Sequence, residues 1–125
     1  MAKRILIVDD SIIVRNSLRA MLEDLDEFGG IACEEAADGR RAISKARDLP
    51  PDLTILDLSM PVMNGLDAAY ELKRILPAVP IIMYTSYAGA SLRRVAEAAG
   101  IANVVDKASP HNLLVVIRSL LAPSA

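Results

Sequence analysis

The sequence predicts an α/β fold, a doubly wound parallel sheet of five strands, and three observations carry that expectation. Apolar runs of four or five residues alternate with helical patterns about ten to fourteen residues long, the signature of repeated βα units. Proline, glycine or a capping side chain marks the boundaries between them. The 125 residues match one domain, 1–125, long enough to bury roughly two-thirds of the surface of the unfolded chain.

Strand one is Ile5 to Val8. Ser11 can cap a helix in which Val14, Leu18, Met21 or Leu22, and Leu25 recur at helical spacing, and Gly29-Gly30 closes that excursion. Ile31 to Glu35 forms a weaker second strand, in which the single cysteine, Cys33, reads as a small core residue. Asp38-Gly39 turns into a helix that Pro50-Pro51 stops, with Arg40, Arg41, Lys45 and Arg47 as its solvated face. The third strand, Leu53 to Leu56, leads to Asp57. A third helix runs from about Asn64 to Leu76 before Pro77, strand four is Ile81 to Tyr84, and a helix over Ser91 to Ala99 ends at Gly100. Asn103 to Asp106 is strand five. Ser109-Pro110 offers a capping hydroxyl and an N1 proline to the last helix, which reaches about Leu121 before Pro123. On its wheel Leu113, Leu114, Val116, Ile117, Leu120 and Leu121 share a broad apolar arc, so Val115, on the opposite side, should be exposed. His111, in the first turn, reads as an exposed bystander.

Composition removes several classes of function. Lys plus Arg is 14 and Asp plus Glu is 16, a net charge of -2, which argues against nucleic-acid binding by this domain itself. Hydrophobic residues reach 53%, yet no apolar run approaches the roughly 20 residues of a membrane span. The start, Met1-Ala2-Lys3-Arg4 before a short apolar run, lacks the length of a secretory signal, so the expected location is the cytoplasm. One cysteine and one histidine make no zinc set.

The strand ends carry the chemistry. In an open parallel sheet the carboxyl ends of the strands line one edge, and ligands bind in the crevice outside it. Here strand one runs into Asp9-Asp10, strand three into Asp57, strand four into Thr85, and strand five into Asp106-Lys107. Carboxylates gathered in one crevice repel by about 4 kcal/mol for a pair roughly 4 Å apart at an effective dielectric near 20, so a proton or a cation must intervene. Magnesium suits such a site, because it takes oxygen ligands from one or two carboxylates together with phosphate oxygens. An aspartate can then attack a phosphoryl group, provided that charge on the transferred oxygens is neutralised. Lys107 and the Thr85 hydroxyl can supply part of that.

Asp9-Asp10, the run Asp57-Leu58-Ser59-Met60-Pro61-Val62-Met63-Asn64-Gly65, then Thr85-Ser86 and Lys107 together resemble the receiver domain of two-component response regulators. The resemblance covers nearly the whole chain, and the long run after an apolar strand is its most specific part. It implies a flavodoxin-like sheet with strand order 2-1-3-4-5, and a phosphoacceptor switch that assists only its own phosphorylation and dephosphorylation. Asp57 would accept the phosphoryl group from a histidine kinase or phosphotransfer protein and would also ligate Mg²⁺. Asp10 would bind Mg²⁺ directly, Asp9 mainly through metal-bound water, and the backbone carbonyl of Ser59 would complete the protein ligands. Lys107 would pair with a phosphoryl oxygen. Thr85 would swing toward the phosphate with its loop, and the Ser86 backbone N–H would help bind the same anion. The surface of helix four, strand five and helix five, to which Leu92, Arg93 and Arg94 contribute, would serve dimer or effector contacts.

Three positions depart from the commonest pattern of that family. Val104 stands where many receivers carry an aromatic residue that rotates with the threonine; Tyr84 and Tyr87 flank Thr85 instead. Ala108 follows Lys107 where proline is usual, and Lys-Ala-Ser-Pro resembles receivers that precede LuxR-type helix-turn-helix domains. Ser59 is a small polar residue beside the phosphoryl pocket. Two rival readings compete for these residues. A dehalogenase-like phosphatase expects a second aspartate two positions after its nucleophile, where this chain has Ser11 or Ser59. A receiver-like interaction domain that works without phosphorylation is the alternative suggested by Val104 and Ala108. The run Leu121 to Ala125 suits either a terminus or the first residues of a linker.

Overall fold

The computed structural model describes residues 2–101 and 103–122 and forms each of the expected elements. The strands are β1 (Lys3–Val8), β2 (Ile31–Ala36), β3 (Leu53–Leu56), β4 (Ile81–Thr85) and β5 (Asn103–Asp106). Between and after them come α1 (Ile12–Glu23), α2 (Gly39–Asp48), α3 (Gly65–Ile75), α4 (Ala90–Ala98) and α5 (Pro110–Leu121). All pairings are parallel, in the order β2-β1-β3-β4-β5. The chain winds outward from β1 to β2, then crosses back to β3, which makes the β1–β3 junction the topological switch point where such sheets bind ligands.

Period-two alternation along the strands explains the two layers of helices. Ile5, Ile7, Leu53, Ile55, Ile82, Tyr84 and Val105 face one side and pack under α1 and α5 through Leu18, Leu22, Leu113, Ile117 and Leu121. Leu6, Val8, Leu56, Met83 and Val104 face the other. There the covering residues are mostly small: Ala42 and Ala46 of α2, Ala68 and Ala69 of α3, and Ala96 of α4. Each large aliphatic side chain buried this way contributes about 1.5–3 kcal/mol.

The helix starts mostly follow the expected caps. The Ser11 hydroxyl accepts from the Val14 N–H at 3.3 Å, Asp38 from the Arg41 N–H at 2.9 Å, and Asn64 from the Asp67 N–H at 3.0 Å. Ser109 is a correction. It occupies the N-cap of α5 with proline after it, but its hydroxyl makes no capping bond. Its backbone, at φ -125° and ψ 64°, departs from the extended geometry in which Ser11, Asp38 and Asn64 cap their helices. Cys33 is the second correction: β2 is an edge strand, so the thiol is half-buried and packs against the core from its margin. Burial still pushes that thiol up to about 11, which leaves it protonated and unreactive at neutral pH. The basic residues of α2 and His111 are exposed as expected, and so is Val115, at 52%. The Lys107–Ala108 peptide is trans, like every peptide bond among the described residues.

Candidate functional site

The register of the sheet builds the site. Val8 pairs with Leu56, so the next residues, Asp9 and Asp57, leave adjacent strands side by side. Their backbones are anchored: the Asp57 N–H donates to the Val8 carbonyl at 2.9 Å, and the Asp9 N–H to the Ala36 carbonyl at 3.1 Å. On the other half of the sheet Thr85 pairs with Asp106, and the Lys107 N–H donates to the Thr85 carbonyl at 3.0 Å. This directs the Lys107 side chain back over the β1–β3 junction. Its Nζ lies 2.8 Å from Asp9 Oδ2 and 3.3 Å from Asp57 Oδ2.

Asp9, Asp57 and Thr85 are buried, while Asp10 stands exposed at the mouth. Asp9, Asp10 and Asp57 each offer a carboxylate oxygen, and these atoms lie within 4.8 Å of one another. Three carboxylates face one ammonium, so negative charge is in excess. The donor set is all oxygen, and it is compatible with a hard divalent cation.

The remaining bonds orient the carboxylates. Asp57 Oδ1 accepts from the Leu58 N–H at 2.9 Å, and Asp9 Oδ1 from the Ser11 N–H at 2.9 Å. Burial, then the charge of Asp9, pushes the Asp57 carboxyl above the ordinary aspartate value, and Lys107 opposes that rise. For Lys107 burial acts downward, but its bonds to Asp9 and Asp57 prevail and hold the ammonium above the ordinary lysine value. Gly65 closes the floor of the site. A Cβ there would sit 2.1 Å from the Asp57 carbonyl oxygen, so only glycine lets α3 begin this close to the strand end.

Thr85 lies at the end of β4 with its hydroxyl accepting from the Tyr87 N–H at 3.2 Å. Ser59 and Ser86 are exposed on the loops after β3 and β4, and neither side chain bonds to a carboxylate among the described residues. Tyr87, 66% exposed, lines a shallow groove with Leu58, Ser59, Asn64 and Leu66. Three contributors were missing from the sequence reading. The Tyr84 hydroxyl, buried under α1 and α5, donates to the Lys107 carbonyl at 3.2 Å and so holds the lysine's backbone. Arg15 of α1 and Glu35 of β2 form an ion pair at 3.0 Å behind the Asp9-Asp10 turn. Their signal in the sequence was slight: arginines four apart on one helix, and glutamates in a strand that otherwise reads as apolar.

This arrangement agrees with what the chain matches. A family model, the response regulator receiver domain, fits residues 5–118. The chain belongs to that family. The receiver is 42% identical over 84 residues to the chemotaxis protein CheY of Thermotoga maritima, covering 66% of this chain and 67% of that protein. It is 43% identical over 103 residues to a protein-glutamate methylesterase/protein-glutamine glutaminase of Paramagnetospirillum magneticum; that match covers 82% of this chain but 28% of the larger protein. Among solved structures, a LuxR-family two-component response regulator from Aurantimonas superposes with a TM-score of 0.87 at 31% identity, over 98% of this chain and 86% of that one. The five-stranded parallel sheet and its strand order are therefore those of a receiver domain. No helix among the described residues is long and apolar enough to cross a membrane.

Proposed function

We propose that this receiver is a phosphoacceptor switch in which Asp57 takes a phosphoryl group from a histidine kinase or phosphotransfer protein. The observation that carries this reading is the convergence of Asp9, Asp10 and Asp57 within 4.8 Å, with Lys107 bridging Asp9 and Asp57. Asp57 Oδ attacks the phosphorus, the P–N bond of the phosphohistidine breaks, and the imidazole leaves with its electron pair. Lys107 neutralises one phosphoryl oxygen, Thr85 turns its hydroxyl toward the anion, and the Ser86 N–H binds it from the next residue. Asp10, Asp57 and the Ser59 carbonyl would hold Mg²⁺, with Asp9 acting through metal-bound water. Bound there, the cation supplies positive charge to the transferred oxygens.

In this reading residues 1–125 act as one receiver domain in the cytoplasm, with no direct contact to nucleic acid or membrane. The chain catalyses only its own phosphorylation and dephosphorylation. The added charge of about -1.5 to -2 biases the loop after β4 and the face formed by α4, β5 and α5, where Val95 and Val115 are exposed. That face is the proposed dimer or effector contact. The names of the relatives include both an esterase and a LuxR-family regulator; the receiver reading is common to them and assigns no output.

Labelling with acetyl phosphate tests it. Wild-type protein should gain one phosphoryl mass in Mg²⁺ and none in a chelator, and Asp57→Asn should gain none while remaining folded. Asparagine is nearly isosteric but offers no acyl nucleophile. Unchanged labelling of the mutant would remove Asp57 from this role, and failure of the wild type to label would favour the phosphorylation-independent alternative.

A further inference from the structure

Arg15 stands behind the acidic turn, outside the set of groups that the phosphoryl chemistry uses. Its Nη1 donates to the backbone carbonyl of Asp9 at 2.6 Å, its Nε donates to Glu35 Oε1 at 3.0 Å, and the side chain is only 14% exposed. Glu35 comes from a different element, the edge strand β2, one residue before the Ala36 carbonyl that receives the Asp9 N–H. Its other oxygen accepts from Arg19 Nε at 2.7 Å, and Arg19 reaches on to Glu23 and to the Cys33 carbonyl. The guanidinium of Arg15 is thus held at one end by a strand and presents the other end to the turn.

The Asp9 carbonyl needs such a partner. It lies at the exit from β1, and the first helical bond of α1 runs from the Arg15 N–H to the Ser11 carbonyl, two residues further on. Every polar group of Asp9 is consequently tied: its N–H to Ala36, its carbonyl to Arg15, Oδ1 to Ser11 and Oδ2 to Lys107. Two successive aspartates facing a third repel one another, and that repulsion tends to open the turn. A planar fork braced by a carboxylate on a neighbouring strand resists the opening better than a flexible ammonium does.

We propose that Arg15, braced by Glu35, is a positioning residue that sets the β1–α1 turn so that Asp9 and Asp10 face Asp57 in the geometry that accepts a divalent cation. The proposal rests on reading the cluster as a Mg²⁺-assisted phosphoacceptor site. Two roles for Arg15 have opposite signs. As a nearby positive charge it repels Mg²⁺, so its removal would tighten binding. As a support for the turn, its removal weakens binding.

Mg²⁺ titrations followed by NMR at the Ser11 and Lys107 amides separate the two roles in wild type, Arg15→Ala, Arg15→Lys and Arg19→Ala. Folding of each variant is checked by its thermal melt. Arg15→Ala should weaken Mg²⁺ binding about tenfold, the lower end of what loss of a partner behind a metal ligand costs. Arg15→Lys keeps the charge and loses the fork, so it should weaken binding as well. Arg19→Ala loses its own bond to Glu35 but touches no atom of Asp9, so it should bind Mg²⁺ like wild type even where its melt is lower. A folded Arg15→Ala that binds Mg²⁺ equally or more tightly overturns the proposal, as does an equal loss in Arg19→Ala. Should Arg15→Ala not fold, Arg15→Lys decides by the same criterion. A wild type that itself binds no Mg²⁺ overturns the functional reading and the proposal together, a pattern distinct from one confined to the Arg15 variants.

Discussion

Val62 holds a positive φ of 71° at the centre of a γ-turn, in which the Met63 N–H donates to the Pro61 carbonyl at 2.7 Å, in the loop that leads from Asp57 to α3. A β-branched side chain disfavours that conformation, at a cost of about 1–3 kcal/mol, and at 71% exposure no packing offsets it. Val62→Gly should therefore stabilise the protein by about 1 kcal/mol and raise Tm by roughly 3–6 °C. An unchanged or lower Tm would show that the loop relaxes to accommodate valine. Asp57 makes an opposite kind of local statement, because its charge is destabilising where it sits. Its folded pKa lies above the ordinary 3.8, so the native state binds more protons across that interval, and stability falls as pH rises through it. Asp57→Asn should accordingly be more stable than wild type at pH 7, with a higher denaturation midpoint, as replacements at functional sites often are. The advantage should fade as pH falls through that interval and be lost well below it, where Asp57 is protonated in both states. Lys107 keeps its pair with Asp9 in that variant, and its own contribution persists until pH rises through its elevated pKa.

Caps separate what a residue type suggests from what a backbone allows. Ser11 and Ser109 look alike in the sequence, each a serine before a helix, yet only Ser11 makes the bond to the third helical N–H. Ser11→Ala should cost about 1 kcal/mol, and Ser109→Ala less than about 0.5 kcal/mol. Chemical denaturation of the two variants checks this, and equal losses would contradict it. The strands and helices were readable because apolar periodicity and breakers act within a few residues. Asp9, Asp57, Thr85 and Lys107 were readable for the same reason, each standing just past an apolar run whose end the parallel sheet brings to one edge. The Arg15–Glu35 brace was not, since it depends on β2 lying beside β1 in a register that sets Ile7 opposite Glu35. Cys33 misled because core membership depends on whether a strand is central or at the edge, and a single strand's composition does not carry that.

Across the fold, the proposed switch has to carry charge at Asp57 to a surface without an aromatic rotor. Val104 is buried, too short to alternate between buried and exposed positions as a ring does, and its carbonyl accepts from Arg93 of α4 at 2.8 Å. On the proposed reading the path from the site would run through Thr85, whose hydroxyl accepts from the Tyr87 N–H, into residues 86–89 and the first turn of α4. Binding of beryllofluoride with Mg²⁺, a mimic of the aspartyl phosphate, should shift amide resonances at Tyr87 and along the start of α4. Changes confined to Asp9, Asp10 and Asp57 would show that this path does not transmit. The proposed acyl phosphate can be located by its own chemistry. After acetyl phosphate treatment in Mg²⁺, borohydride reduces an aspartyl phosphate to homoserine, and peptide mass mapping reads its position. Homoserine at position 57 alone is the predicted result; homoserine at position 9 or 10, or none anywhere, would contradict it.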